Sequence, residues 1–110
     1  MPWKVGVAQP FVPDAVALVL QGDDLAVATS GTTERGHHIA DPHSGQAADE
    51  LLTLTVAGPD LGRADAYATA AFAMGREGLR WVEALPGYYA AGITHDARLI
   101  TTRGLDRLRV

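Results

Sequence analysis

One pattern near the middle of the sequence restricts the fold most strongly. The segment Leu51–Ala57 (LLTLTVA) alternates apolar residues with threonine, as expected for a β-strand. A Gly-Pro-Asp turn follows, in which Asp60 is the predicted N-cap of a helix over the alanine-rich segment Leu61–Met74. Gly75 is the predicted end of this helix. A strand that leads directly into a helix predicts a fold that mixes both element types.

Apolar segments before this pattern predict further strands at Trp3–Ala8, Ala15–Leu20 and Leu25–Thr29. The QGDD sequence at 21–24 predicts a hairpin turn, so we expect these three strands to form an antiparallel meander. The polar segment Ser30–Gly36 predicts a loop, and His37–Ala40 predicts a short strand.

The segments after Gly75 complete the predicted fold. Arg76–Leu85 predicts a second helix, and Tyr88–Thr94 with Leu99–Thr102 predicts a closing hairpin. We therefore expect an α+β fold with a mostly antiparallel sheet and two helices packed on one face. The length of 110 residues predicts one domain that spans residues 1–110.

Composition excludes several classes of function. Apolar residues make up 47% of the chain, which is enough to fill a core. The net charge is −4 and the nine basic residues form no run, which argues against nucleic-acid binding and a polybasic membrane patch. The chain has no cysteine, so disulfides and thiolate metal sites are excluded. We find no apolar stretch of membrane-spanning length and no signal-peptide pattern at the start.

Asp65 and Thr69 lie four residues apart in the first predicted helix and therefore share one helix face. A carboxylate and a hydroxyl are hard oxygen donors, which suit Mg²⁺ together with water and phosphate. A structural alternative is that Asp65 pairs with Arg63 or Arg76 while Thr69 bonds to the Asp65 carbonyl. Spacing alone leaves both interpretations open.

A second candidate site is rich in histidine. His37, His38, Asp41 and His43 lie within seven residues, which suggests a metal site or a general acid or base. In an extended chain the first two histidines would point to opposite faces, which disfavours one shared metal. The alternative is a polar loop in which Asp41 caps a turn.

The Ala-Thr-Ser-Gly segment at 28–31 lies at the end of a predicted strand. Small residues there leave backbone N–H groups accessible, and such groups can bind phosphate. Ser30 and Gly31 are therefore candidate cofactor-binding residues.

These motifs together resemble the ApbE family of FAD:protein FMN transferases, in both residue identity and order. The matching segments are WKVGV at 3–7, ATSG at 28–31, HIADPHSG at 38–45, ADAYAT at 64–69 and MG at 74–75. The resemblance covers nearly all of the chain and implies an ApbE-like C-terminal domain.

The resemblance implies a specific chemistry. Members of this family bind FAD and Mg²⁺ and transfer FMN to a threonine hydroxyl of a target protein, with release of AMP. Some members hydrolyse FAD instead. We therefore expect FAD as substrate, magnesium as cofactor and a flavin-accepting protein as partner, with no nucleic acid.

The resemblance also implies residue roles. Asp65 and Thr69 match the magnesium ligands of the family, and His38 matches a histidine near the flavin and the diphosphate. We expect His38 and Asp65 to be catalytic and Ile39 to lie against the cofactor. Ala68 stands where some members have a further metal-binding aspartate. Ser44 replaces the usual threonine of its turn and retains the hydroxyl.

The family domain is much longer than this chain, which corresponds to its C-terminal part without the N-terminal half. One alternative is therefore a non-catalytic flavin-binding or self-associating fragment, with a homodimer formed through the surface that the missing half would cover. Another is a small hydrolase that uses His37, His38 and His43 with a transition metal. Family members often act outside the cytoplasmic membrane, but the sequence leaves the compartment of this chain open.

Overall fold

The computed structural model describes residues 3–11, 15–31 and 51–110 of the chain. No helix in these residues is long and apolar enough to cross a membrane. The elements in them are β1 (Trp3–Ala8), β2 (Val16–Gly22), β3 (Ala26–Gly31), β4 (Leu51–Gly58), α1 (Leu61–Met74), α2 (Arg76–Glu83), β5 (Tyr89–Thr94), β6 (Leu99–Thr101) and a short 3-10 helix (Leu105–Arg107).

The strands form two antiparallel sheets in place of the predicted meander. β1 pairs with β2, whereas β3 belongs to a second sheet with the strand order β3-β4-β5-β6. The prediction that β2 and β3 are neighbours in one meander is therefore wrong. β2 continues through Gly22, and the turn after it is confined to Asp23 and Asp24. This turn carries the chain from the small sheet to the large one.

The apolar residues of β2 and β4 explain this arrangement. Leu18 and Leu20 of β2 pack with Ala57 of β4 and Ala91 of β5 in one buried cluster. The small sheet thereby covers one face of the large sheet, and all eight residues of β4 are buried. If β2 extended the large sheet sideways, its leucines would not cover this face of β4.

Both helices pack on the other face of the large sheet, as predicted. Their buried residues share a second cluster with the sheet: Leu51, Leu54, Val56, Ala64, Ala68, Ala71, Phe72, Leu79, Val82, Tyr88 and Ala90. The fold is thus α+β with antiparallel sheets and two helices on one face, which confirms the predicted class.

The first helix has the predicted bounds, and its ends show why. The Asp60 Oδ2 atom accepts a hydrogen bond of 2.8 Å from the backbone N–H of Arg63, which is an N-cap interaction. Gly75 ends the helix with a φ of 69°, and its N–H donates to the carbonyl of Phe72 at 3.1 Å. The second helix ends at Glu83, two residues earlier than predicted.

The closing hairpin is confirmed, with Gly92 of β5 opposite Ile100 of β6. The 3-10 helix after it was not predicted, and it buries Leu105 in the cluster below the small sheet. Arg109 then forms an isolated antiparallel bridge with Leu20 of β2. The short strand predicted at His37–Ala40 lies outside the described residues.

Candidate functional site

Two oxygen-bearing side chains occupy exposed positions on α1. Asp65 and Thr69 are exposed, whereas their neighbours Ala64 and Ala68 are completely buried against the sheet. The Thr69 Oγ1 hydroxyl donates a hydrogen bond of 3.2 Å to the Asp65 carbonyl oxygen. Because alanine side chains are short, the helix lies close to the sheet at this point, and both oxygen groups lie beside the buried layer.

The end of β3 lies next to this part of α1. The Ser30 Oγ and Thr69 Oγ1 atoms are 3.3 Å apart and form a hydrogen bond between residues 39 positions apart in the sequence. Ser30 is only 4% exposed, so its side chain lies between the strand and the helix. The structure therefore brings together two of the sequence motifs, the Ala-Thr-Ser-Gly segment and the helix that carries Asp65.

Ser30 and Gly31 are the last residues of β3, so the loop predicted for Ser30–Gly36 cannot begin at Ser30. Gly31 is buried opposite Thr53 of β4. A Cβ atom at Gly31 would lie 2.9 Å from the Leu52 carbonyl oxygen and 2.9 Å from Thr53 Cγ2. Close strand packing therefore requires glycine at this position, whether or not a ligand binds there.

The other face of β3 carries a second hydroxyl pair that the sequence analysis did not single out. The Oγ1 atoms of Thr29 and Thr55 lie 2.7 Å apart, and the two residues are direct partners in the register of β3 and β4. The alternation of Leu51–Ala57 predicts that the threonines of this strand lie on one face. Only the pairing of β3 with β4 shows that Thr29 lies opposite one of them.

The structural alternative for Asp65 and Thr69 consists of two contacts, and one of them is present. The bond from Thr69 to the Asp65 carbonyl is present. The ion pair between Asp65 and Arg63 or Arg76 is absent from the described residues, in which the salt bridge found is that between Asp96 and Arg98. The Asp65 carboxylate is thus not neutralised by a cationic side chain within this part of the chain.

A charged turn lies at the same end of the large sheet, because Thr94 of β5 pairs with Leu51 at the start of β4. The Thr94 hydroxyl donates a hydrogen bond to the Asp96 Oδ1 atom, and Arg98 Nε lies 3.3 Å from the Oδ2 atom. The hydrogen bond from Thr94 is the main cause that lowers the pKa of Asp96, with help from the charges of Arg98 and Arg76. The charge of Arg98 at this end of the sheet is thus offset by the carboxylate of Asp96.

The remaining sequence candidates lie outside the described residues: His37, His38, Ile39, Asp41 and His43. Within residues 3–11, 15–31 and 51–110, no three histidine or acidic side chains are grouped so that they could hold a metal ion.

The donors on α1 nevertheless fit a magnesium ion. The carboxylate and hydroxyl oxygens are one helical turn apart, both are exposed, and Asp65 keeps an unpaired negative charge among the described groups. Mg²⁺ takes few protein ligands and completes its octahedral shell with water and substrate phosphates. Two donors at an accessible helix surface are enough for such a site.

Comparison with known proteins identifies the family. A model of the ApbE family matches residues 1–92. The chain belongs to the ApbE family. This family assignment agrees with the resemblance of the sequence motifs, and the matched residues include every site residue predicted from the sequence.

Curated relatives of this ApbE-family chain carry a common name. The chain is 35% identical over 120 residues to an FAD:protein FMN transferase of Treponema pallidum (strain Nichols), in an alignment that covers 98% of this chain and 33% of the relative. It is 40% identical over 86 residues to an FAD:protein FMN transferase of Klebsiella pneumoniae (strain 342), which covers 68% of this chain and 27% of that protein.

Solved ApbE structures show the same fold. The ApbE protein of Thermotoga maritima superposes with a TM-score of 0.83 at 29% identity, over 99% of this chain and 38% of that protein. The apo form of the flavinyl transferase ApbE of Pseudomonas stutzeri superposes with a TM-score of 0.73 at 28% identity, over 99% of this chain and 35% of that protein. This chain therefore spans about a third of the length of these relatives.

Proposed function

We propose that this chain acts as the C-terminal part of an FAD:protein FMN transferase, in which residues 1–110 form one ApbE-like domain. The names of its relatives support flavin transfer as the reaction class. The observation that supports a site in this chain is the meeting of the β3 end with the Asp65 and Thr69 face of α1. Magnesium dependence and a threonine acceptor are part of the proposal.

In the proposed reaction, the hydroxyl oxygen of an acceptor threonine attacks the FMN phosphorus of FAD. A phosphoester bond forms, the bond from that phosphorus to the bridging oxygen of the diphosphate breaks, and AMP leaves with the bridging oxygen. The acceptor hydroxyl loses its proton during this step. Attack by water on the same phosphorus would give FMN and AMP, so transferase and hydrolase activities share one site.

Asp65 and Thr69 would hold the magnesium ion through the carboxylate and the hydroxyl. When bound, the ion neutralises negative charge on the diphosphate and polarises the phosphorus under attack. Asp65 is also proposed to help accept the acceptor proton, because its carboxylate lies at the exposed surface of α1.

The other assigned residues complete the cofactor site. His38 is proposed as a catalytic and cofactor-binding residue, and Ile39 as an apolar contact of the cofactor. Ser30 and Gly31 are proposed to bind the cofactor through backbone N–H groups at the end of β3.

Calorimetric titration of FAD into the purified chain, with and without Mg²⁺, tests this proposal. We expect saturable binding that needs magnesium and is lost in Asp65→Ala. Asp24→Ala is the matched control, because Asp24 is an exposed aspartate in the turn before β3, at the opposite end of that strand from Ser30. Equal binding by Asp65→Ala and the wild type would refute the assignment of Asp65.

The edge position of β3 among the described strands favours a second candidate function, that of a non-catalytic or self-associating fragment. β3 is an edge strand of its sheet within the described residues, and such an edge can pair with another chain. This alternative predicts a dimer in size-exclusion chromatography that forms without FAD and magnesium. A monomer in which flavin binding depends on Asp65 would favour the transferase.

A further inference from the structure

The buried hydroxyl of Ser30 has one protein partner among the described hydrogen bonds, and this partner is Thr69. A hydroxyl group carries one proton and accepts through two lone pairs. Thr69 already donates its proton to the Asp65 carbonyl at 3.2 Å. The contact of 3.3 Å with Ser30 must then run in the other direction, with Ser30 as the donor.

This direction gives an ordered chain of hydrogen bonds from Ser30 to Thr69 and from Thr69 to the Asp65 carbonyl. Thr69 accepts one proton through one lone pair and retains a second lone pair. Threonine in a helix has two accessible χ1 rotamers, and hydrogen bonds to its hydroxyl select one of them. The Ser30 contact therefore helps to fix where the free lone pair of Thr69 points.

The side chain of Ser30 is poorly placed to contact a ligand. Its residue is 4% exposed, while Thr69 and Asp65 are exposed. It lies opposite Leu54 in the register of β3 and β4, and Leu54 is completely buried in the cluster beneath the helices. A side chain held between a strand and a helix reaches the site only through its neighbour.

We propose that Ser30 is a positioning residue that orients the Thr69 hydroxyl toward the divalent cation, an inference that rests on the proposed function. Its side chain acts through Thr69 and makes no direct contact with the cation or with FAD. Partners behind a metal ligand typically change metal affinity by about 10-fold to 100-fold when they are removed. Because both hydroxyls here are neutral and their contact is long, we expect an effect near the lower end.

Calorimetric titration of Mg²⁺ into the chain at a fixed excess of FAD, with the same titration into FAD alone subtracted, provides the test. We expect Ser30→Ala to raise the dissociation constant for Mg²⁺ about tenfold. The double variant Ser30→Ala with Thr69→Val should bind no more weakly than Thr69→Val alone, since Ser30 acts only through that hydroxyl. If Ser30→Ala does not fold, Ser30→Cys keeps the side-chain shape with a weaker donor and carries the same expectation.

Thr29→Ala is the matched control. It removes a hydroxyl hydrogen bond from the adjacent residue of the same strand, but on the opposite face, where the partner is Thr55. Both single variants should lower the melting temperature, and only Ser30→Ala should weaken Mg²⁺ binding. Equal weakening in both variants would mean that general strand stability, and not orientation of Thr69, determines the affinity, and would overturn the inference.

The outcomes also separate this inference from the proposed function. If the wild type binds Mg²⁺, Asp65→Ala does not, and Ser30→Ala binds as tightly as the wild type, the positioning role alone is overturned. Two other outcomes overturn the proposed function and the positioning role together. In one, the wild type shows no saturable Mg²⁺ binding. In the other, Asp65→Ala binds Mg²⁺ with the affinity of the wild type.

Discussion

Replacement of Gly78 by alanine should destabilise the protein, although alanine is the better helix former. Gly78 is a buried residue of α2 that faces α1. A Cβ atom at this position would lie 2.0 Å from the Ala71 carbonyl oxygen and 2.6 Å from the carbonyl carbon. These are backbone atoms that cannot rotate away, so the two helices would have to separate by roughly 1.5 Å to restore ordinary contact.

Two effects of opposite sign determine the free energy of unfolding of this variant. The higher helix propensity of alanine stabilises the folded state by about 1 kcal/mol. Insertion of a methyl group into a closely packed interface that needs backbone movement costs about 3 kcal/mol. The net loss is then about 2 kcal/mol, or about 8 °C in melting temperature for a domain of this size.

Urea unfolding followed by circular dichroism measures this loss, provided that the slope of the unfolding free energy against urea is unchanged. Gly62→Ala is the matched control in α1, because a Cβ there would meet only the Asp60 Oδ2 atom at 3.4 Å. We expect that control to stabilise by about 0.5 kcal/mol. Gly78→Ala with wild-type stability or higher would show that the helices do not pack as closely as described.

Substitutions at three further positions test local features. Asp60→Ala should lower the free energy of unfolding by about 1 kcal/mol through loss of the N-cap, and Asp60→Asn should recover most of it in the same urea assay. Ala97 has a φ of 67°, so Ala97→Gly should raise the melting temperature by relieving about 1 kcal/mol of backbone strain. The pKa of Asp96 is lowered in the folded state, mainly by the hydrogen bond from Thr94. Its carboxylate therefore stabilises the fold at neutral pH, and this contribution disappears as the pH falls from the ordinary value of 3.8 through the lowered pKa. Asp96→Asn should consequently show lower stability at pH 7 and a shallower loss in acid, as measured by thermal unfolding across that range.

The elements predicted correctly are those whose determinants are local in the sequence. The first helix begins and ends as expected because Asp60 and Gly75 supply its two caps. β4 matches the alternation of Leu51–Ala57 with one added residue, Gly58. The closing hairpin follows from two apolar segments separated by a short polar turn.

The errors concern contacts between distant segments. The turn at Asp23 and Asp24 is compatible with a hairpin, and only the cluster of Leu18 with Ala91 shows that β2 belongs to a different layer from β3. The contact between Ser30 and Thr69 is also invisible to local pattern analysis, because each motif signals a possible phosphate or metal site by itself. The family resemblance includes both motifs, but it does not predict that the hydroxyls of Ser30 and Thr69 are in contact.

The register of β3 on β4 determines which hydroxyl reaches α1. Ser30 faces the helices because it lies opposite Leu54, and a slip of one residue would turn it toward the small sheet. The hydrogen bond between Thr29 and Thr55 favours the observed register from the other face. Gly31 favours it as well, because only glycine fits so closely against the neighbouring strand. Residues with no assigned chemical step thus determine that Ser30, and not an adjacent residue, meets the helix.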